Sequence, residues 1–385
     1  MRQGGIPLPE KAERCGIYAF APYQGWNNQQ LTKNCGLVPY LFHKLWGWHA
    51  VMVGGKVGEY PSLADVPGLE LDLLESPDME HQLAYLEAHV NDMDVLVLHG
   101  VFPFYFPIVA RYREIRPDGR IYLETDANSY FEDRIPQTPE FLWFLSQCDV
   151  VGASCHRMQS WLSTKWPCCI QYLPNGFYDL KGVWRAPVFS AKEDIILTVG
   201  RLGTEQKRTE DLLQAFALVA AQFPSWRLRL IGTIDARFEA FRTAFFEHHP
   251  ELAERIEFLG PIQEKAALLA EYRQAKIFAL PSQLEGGTPN VVAEALFSGC
   301  YMIVSDFDAY DDAIAGGRCG MHHAIGDVQA LAACLAKACA DPALIERGGR
   351  AALAYGRETF DFVKIVRRLR YLLFGEGDFD GSDFV

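Results

Sequence analysis

The chain has ten cysteines but no CxxC pair, and the one adjacent pair, Cys168–Cys169, suits neither a zinc knuckle nor a regular disulfide framework. The cysteines therefore read as reduced and mostly buried. Positive charge is scarce: 36 Lys and Arg stand against 49 Asp and Glu, a formal net charge of -13. That balance excludes nucleic acid as a natural partner, because phosphate binding relies on a basic face that releases counterions. Any cationic site has to be local, and peripheral contact with an anionic membrane is left to a small basic patch. Long apolar runs are missing too. The longest, Val95 to Ala110, is broken by His99, Gly100, Pro103 and Pro107 and is too short to span a bilayer. The opening stretch MRQGGIPLPEKAER lacks the apolar centre of a signal peptide, so a cytoplasmic protein is expected. There is no GxxxxGK[ST] phosphate loop, and Gly54-Gly55-Lys56 is not one.

What is present is ordinary globular composition, 49% hydrophobic and 22% charged, over 385 residues, more than one core usually fills. Two domains follow as the expectation. Short β-type apolar runs alternate with amphipathic helical stretches, the pattern of parallel α/β layers. Strands are predicted near 16–21, 49–53, 94–99, 120–124, 149–153 and 169–173, then near 195–199, 227–231, 255–259, 276–280 and 301–304. Between the two groups, Gly176 to Asp194 mixes Gly, Pro, Ser and charges without helical periodicity and reads as a linker. The boundaries become 1–183 for an N-terminal domain and 184–358 for a C-terminal one, with a last helix from 359 packing back onto the first. That helix has an apolar face (Phe362, Ile365, Leu369, Leu372) and a basic one (Lys364, Arg367, Arg368, Arg370). A cleft between two such sheets is the expected ligand site.

In IILTVGRLGTEQKRTEDLLQAFALV a strand ends at Val199, Gly200 allows a tight turn and a helix opens near Thr209. Arg201 and Lys207 flank the loop between them, beside a helix N-terminus whose free amides already favour an anion. A pyrophosphate fits there. The alternative is that both are solvated surface cations, and whether Lys207 or Arg208 points inward stays open.

A second constellation follows the strand at 276–280: PSQLEGGTPNVVAEALFSG. Thr288 reads as an N-cap, Pro289 as the first helical residue and Gly299 as the closing glycine. Gly286 and Gly287 leave backbone amides unobstructed. Glu285 stands at the mouth of this loop, and Glu294 lies a turn and a half into an otherwise apolar helix. Buried there unpaired, Glu294 would cost several kcal/mol, so it calls for donors such as two adjacent sugar hydroxyls, or for an internal salt bridge.

The runs GRLGTEQKRTEDLLQAF, FLGPI and YRQAKIFALPSQLEGGTPNVVAEALFSG, in that order, resemble the C-terminal domain of the family 4 retaining glycosyltransferases. The likeness covers about Ile195 to Tyr371 well, while the first half agrees mainly in layout. It implies the GT-B fold, two Rossmann-like parallel α/β/α domains facing across a cleft. It also implies that Arg201 and Lys207 bind the donor diphosphate, Glu285 the transferred sugar and Glu294 the ribose. The Gly286–Gly287–Thr288 backbone would meet sugar and phosphate, and Ile262 the base. Two departures stand out. Eight residues separate the glutamates where the family pattern has seven. The segment RIYLETDANSYF has no histidine where many members have one, so Asp126 or Thr125 takes that place, with Asp126 favoured. His99 is a second cleft candidate for the acceptor side, and Gly36 resembles a glycine that lets the N-terminal loop approach the phosphates.

The expected activity is thus retaining transfer of a hexose from a nucleoside-diphosphate donor, UDP-linked by family weight, to a glycan, lipid-linked or protein-linked acceptor. No cofactor or metal is expected. Two cations at a diphosphate can supply a metal's electrostatic role, and DFD at 306–308 and 378–380 lies outside the context of a metal-binding DxD. The pairs His248–His249 and His322–His323 read as surface residues on helices. The rival readings are a nucleotide-sugar epimerase or hydrolase, and a non-catalytic glycosyltransferase-like binding subunit.

Overall fold

The computed structural model describes residues 15–125 and 128–375 of the chain. Its contacts divide it into two units, the first made of residues up to Glu124 with Pro139–Asp149, the second of Thr125–Thr138 with everything from Val150 onward.

The first unit alternates β1 (Gly16–Phe20), α1 (Asn34–Trp46), β2 (His49–Gly55), β3 (Leu69–Leu74), α2 (Met79–His89), β4 (Val95–His99), α3 (Tyr105–Ile115) and β5 (Arg120–Thr125). After β5 come α4 (Ser129–Glu132), α5 (Pro139–Gln147), β6 (Val150–Ala153), α6 (His156–Lys165) and β7 (Ile170–Tyr172). Strands run in the order β3-β2-β1-β4-β5, all parallel, and β6 pairs with β7 in the same sense. β1 and β4 are buried at every position, as parallel strands covered on both faces must be.

The rest of the second unit holds β8 (Glu193–Val199), α7 (Thr209–Ala220), β9 (Arg227–Ile231), α8 (Phe238–His248), β10 (Ile256–Gly260), α9 (Lys265–Gln274) and β11 (Ala275–Leu280). It continues with α10 (Asn290–Phe297), β12 (Tyr301–Ser305), α11 (Tyr310–Ala313), β13 (Gly320–His323), α12 (Val328–Ala340), α13 (Pro342–Thr359) and α14 (Phe362–Phe374). Six parallel strands run β10-β9-β8-β11-β12-β13. Leu212 and Phe216 of α7 pack with Leu331 and Leu335 of α12 in the core over this sheet. Each such side chain contributes about 1.5–3 kcal/mol by leaving water. Because the order places β8 beside β11, the loops that follow them emerge side by side at the strands' carboxyl ends.

Side-chain caps set helix starts: Glu264 accepts from the Ala266 and Ala267 amides, and Asp361 from Val363 at 2.9 Å. The last helix therefore begins at Phe362 rather than 359, where Thr359 still belongs to α13. The strands expected from sequence are all present, within a residue or two. β3 and β13 were not among them. β3 (LELDLL) is interrupted by Glu70 and Asp72 and buries only Leu69, and β13 carries Gly and two His, so neither shows an unbroken apolar run. For the same reason His322–His323 is corrected: the pair lies on β13, with His323 buried and its imidazole pushed below the ordinary value by that burial. The cysteines are free, but only four of the ten are buried, against the expectation that most would be. No single helix among the described residues is long and apolar enough to cross a membrane.

Candidate functional site

The loop after β8 presents its polar side chains to the loop after β11. Lys207 Nζ forms an ion pair with Glu285 Oε1, the lysine side chain 14% exposed and the glutamate 6%. Gln206 Nε2 donates to the Leu284 carbonyl at 2.6 Å and, more weakly, to Glu285 Oε2 at 3.5 Å. The Gln206 carbonyl in turn accepts from the Gln283 amide at 2.8 Å. Arg201, exposed, donates from Nη2 to Gln206 Oε1. A carboxylate this buried would cost several kcal/mol without a cation, which Lys207 supplies. Glu285 is thus an inward group and not a surface carboxylate. The choice between Lys207 and Arg208 is also settled: Arg208, left-handed at φ 45° on the N-cap of α7, pairs with Asp211 at 2.5 Å and donates to Gln283 Oε1 at 3.1 Å.

Beyond Glu285 the chain passes close to β6. Gly287 has φ +75°, and a Cβ there would lie 1.6 Å from Ser154 Oγ, so only glycine fits. Gly286 before it is half-buried. Thr288 is fully buried, and its hydroxyl donates to the Ser154 carbonyl at 2.9 Å. This corrects the expected cap: Pro289 occupies the N-cap of α10, and no side chain caps that helix. Of the first amides of α10, that of Val292 donates to the Pro289 carbonyl at 2.9 Å, and no side chain caps the turn. Gly299 closes the helix at φ +64° as expected.

Glu294, on α10, does find a protein partner. Lys265, the first residue of α9, forms an ion pair with its Oε1, the glutamate side chain being 13% exposed. Burial, with the Glu294 charge close by, pushes the Tyr272 hydroxyl well above its ordinary value. Ile262 is half-buried in the loop between β10 and α9.

In the first unit, β4 and β5 end in register at His99 and Glu124. His99 Nδ1 lies 2.9 Å from Glu124 Oε2, and Glu124 Oε1 accepts from Asn34 Nδ2 at 2.9 Å. His99 is held in the core, 6% exposed. The missing Cβ of Gly36 serves the chain's own backbone, since it would sit 2.2 Å from the Leu31 carbonyl oxygen. Asp126 lies outside the described residues. Thr125, buried, donates to the Gly152 carbonyl at 2.7 Å.

The DFD at 306–308 is engaged with backbone. Asp306 accepts from the Ile325 amide at 2.8 Å, and Asp308 accepts from both the amide and the hydroxyl of Ser129 at 2.8 Å. Among the described residues no group of three or more His, Cys, Asp or Glu is placed to hold a metal ion. Sequence reasoning missed Gln206, Lys265, Ser154 and Glu124. Gln206 had a signal, its place directly before Lys207; Lys265, 29 residues from its partner, had none.

Arg201, Gln206, Lys207 and Glu285 thus meet at the carboxyl ends of adjacent parallel strands, with Glu294 on the helix that follows. Residues 193–341 match the family model described as glycosyl transferases group 1. The glycosyl transferases group 1 stretch contains all four residues, Glu294 and every strand of the six-stranded sheet. The lipopolysaccharide core biosynthesis mannosyltransferase LpcC of Rhizobium leguminosarum is 31% identical over 159 residues, 40% of this chain and 44% of that protein. A phosphatidyl-myo-inositol mannosyltransferase of Mycolicibacterium smegmatis is 27% identical over 166 residues, 42% of this chain and 41% of the relative. The chain thus spans less than half the length of these curated relatives. Solved structures extend the likeness of fold to nearly all of it. Anabaena HepE in complex with UDP superposes with a TM-score of 0.74 at 15% identity, covering 94% of this chain and all (100%) of that one. With the two parallel sheets, this gives the chain the two-domain α/β GT-B fold.

Proposed function

We propose that the chain is a retaining, metal-independent glycosyltransferase that takes a hexose from a nucleoside-diphosphate donor, UDP-linked in the first instance. The acceptor is a hydroxyl of a glycan, lipid-linked or protein-linked glycoconjugate. The observation that carries this reading is the convergence of Arg201, Gln206 and Lys207 on Glu285 at the ends of β8 and β11. The matched family stretch, the mannosyltransferase names of two relatives and the UDP bound to HepE support it.

In this reading Arg201, Lys207 and the N-terminus of α10 receive the diphosphate, Glu285 the hexose hydroxyls and Glu294 the ribose. The bond between the anomeric carbon and the phosphate oxygen breaks. A bond to the acceptor oxygen forms on the same face, and the acceptor's proton passes to the departing phosphate. Cations already fixed beside that phosphate stabilise its growing charge without reorganising, an effect worth about 3–4 kcal/mol per donor removed in well-studied sites. Asp126 is assigned to the sugar or the acceptor, in place of the histidine that many related enzymes carry.

The test is product analysis with UDP-, GDP- and ADP-hexoses, with and without glycan acceptors. Retained anomeric configuration in an EDTA-insensitive product is expected. An inverted product sinks the retaining mechanism, and donor consumed at the same rate without acceptor favours the hydrolase or epimerase rival.

A further inference from the structure

Between α4 and α6 lies a cavity of about 520 Å³, lined by Ser129, Tyr130, Asp133, Arg134 and Trp161. Asn128 caps α4 through the Phe131 amide, and the helix ends after one turn, at Glu132. Ser129 anchors it, donating from both amide and hydroxyl to Asp308 at 2.8 Å. Tyr130 and Arg134 meet on one side, the guanidinium carbon 3.7 Å from the ring centroid. On α6, Trp161 and Lys165 stand one turn apart, with Nζ 4.0 Å from the centroid of the indole. An ion pair between Lys165 and Asp133 ties the two sides together.

Aromatic rings usually go to the core, yet these two stay open: Tyr130 is 47% exposed, and Trp161 partly so. A cation over one face of each ring fixes its orientation without burying it. A pyranose matches this lining. Its C–H face packs on an aromatic ring, and its hydroxyls pair with carboxylate, guanidinium and indole N–H groups such as those of Asp133, Arg134 and Trp161. The volume falls in the range of small-ligand sites. An alkyl chain would strip water from three charged groups and give them no partner. The cavity also follows the carboxyl end of β5, at Thr125, and ligands of parallel sheets bind at such ends.

We propose that this cavity is a subsite for one pyranose residue of a glycan acceptor, which stacks on Tyr130 and Trp161 and bonds through its hydroxyls to Asp133 and Arg134. The acceptor is thereby narrowed to one that carries a glycan. That choice of ligand rests on the glycosyltransfer reading, and the experiment separates the two.

The whole protein is labelled with 5-fluorotryptophan, so that each of its eight tryptophans gives a fluorine NMR signal. Trp161 is the signal missing from Trp161→Phe. Maltose, cellobiose, mannobiose and N,N′-diacetylchitobiose are each titrated to about 50 mM, enough to capture millimolar binding, with and without saturating UDP. At least one disaccharide should move the Trp161 signal saturably, whether or not UDP is present. Tyr130→Ala should weaken that binding by about 3- to 10-fold. The proposal is overturned if none of the four moves the Trp161 signal of the wild type, or if Tyr130→Ala binds as tightly. No movement of any of the eight signals overturns it without recourse to a variant. A chain that binds UDP but none of the disaccharides loses this subsite and keeps the transfer reading. One that binds a disaccharide at Trp161 but no nucleotide or nucleotide-sugar does the reverse.

Discussion

Lys207 and Glu285, 78 residues apart in the chain, meet as a nearly buried ion pair that ties the loop after β8 to the loop after β11. Two residues read from sequence as separate ligand contacts are thus each other's partners. Removing the ammonium from so buried a carboxylate costs about 3–5 kcal/mol.

Lys207→Met should therefore lower both stability and turnover, and only the second loss concerns the ligand. The double variant Lys207→Met/Glu285→Gln removes both charges and should recover most of the stability in denaturant unfolding. Turnover of the donor should stay down by about 100-fold or more. A double variant that is stable and fully active would remove the diphosphate role from Lys207.

Glu294 poses a competition. If it holds the ribose, the donor must take it from Lys265. Lys265 is one-third exposed, so the ion pair between them is worth about 1 kcal/mol at most. Lys265→Ala should lower the donor KM by about 2- to 5-fold with kcat unchanged, whereas Glu294→Gln should raise KM by about 10-fold. Steady-state kinetics over a donor titration separates the two outcomes.

Much of the layout around the loops after β8 and β11 was legible because each element has a local signature. Val199 before Gly200, Thr209 at the opening of a helix, and Gly299 at the close of another are statements about neighbours in sequence. The partners were not legible. Lys265 reaches Glu294 only because α9 packs near α10, and Ser154 sits under Gly287 only because β6 approaches that loop. Thr288 failed as a cap for the same reason: its hydroxyl goes to the Ser154 carbonyl, a contact no local pattern announces. β13 was missed because Gly-Met-His-His has no apolar run, and the buried Glu124 because one carboxylate at a strand end looks like any other.

Gly287→Ala should be costly. A methyl there collides with Ser154 Oγ at 1.6 Å and lies 2.7 Å from its Cβ, on a backbone at φ +75°. Strain and overpacking together amount to about 2 kcal/mol or more. Because the Cβ contact and the φ remain, Ser154→Ala should rescue only part of it. Full recovery of the melting temperature in the double variant would contradict this placement of the loop.

Glu132, on α4, gives a pH signature. Burial raises its carboxyl to about 7, and one oxygen is without a hydrogen-bond partner. A raised acid contributes its full stability below the unfolded value of about 4.3 and loses it as pH rises through the folded one. Glu132→Gln, which cannot ionise, should be more stable than the wild type at pH 8 by about 3–4 kcal/mol and show almost no gain at pH 4. Equal gains at both pH values would contradict the burial of that carboxyl as a charge-excluding one.

The most direct test of the central claim is a calorimetric titration of UDP and of UDP-, GDP- and ADP-hexoses into the wild-type chain and into Lys207→Met/Glu285→Gln. At least one nucleoside diphosphate or its sugar should bind the wild type, with binding to the double variant at least about 10-fold weaker. Binding of equal strength to both proteins, or no binding of any of them to the wild type, would contradict a nucleotide-sugar site at Arg201, Lys207 and Glu285.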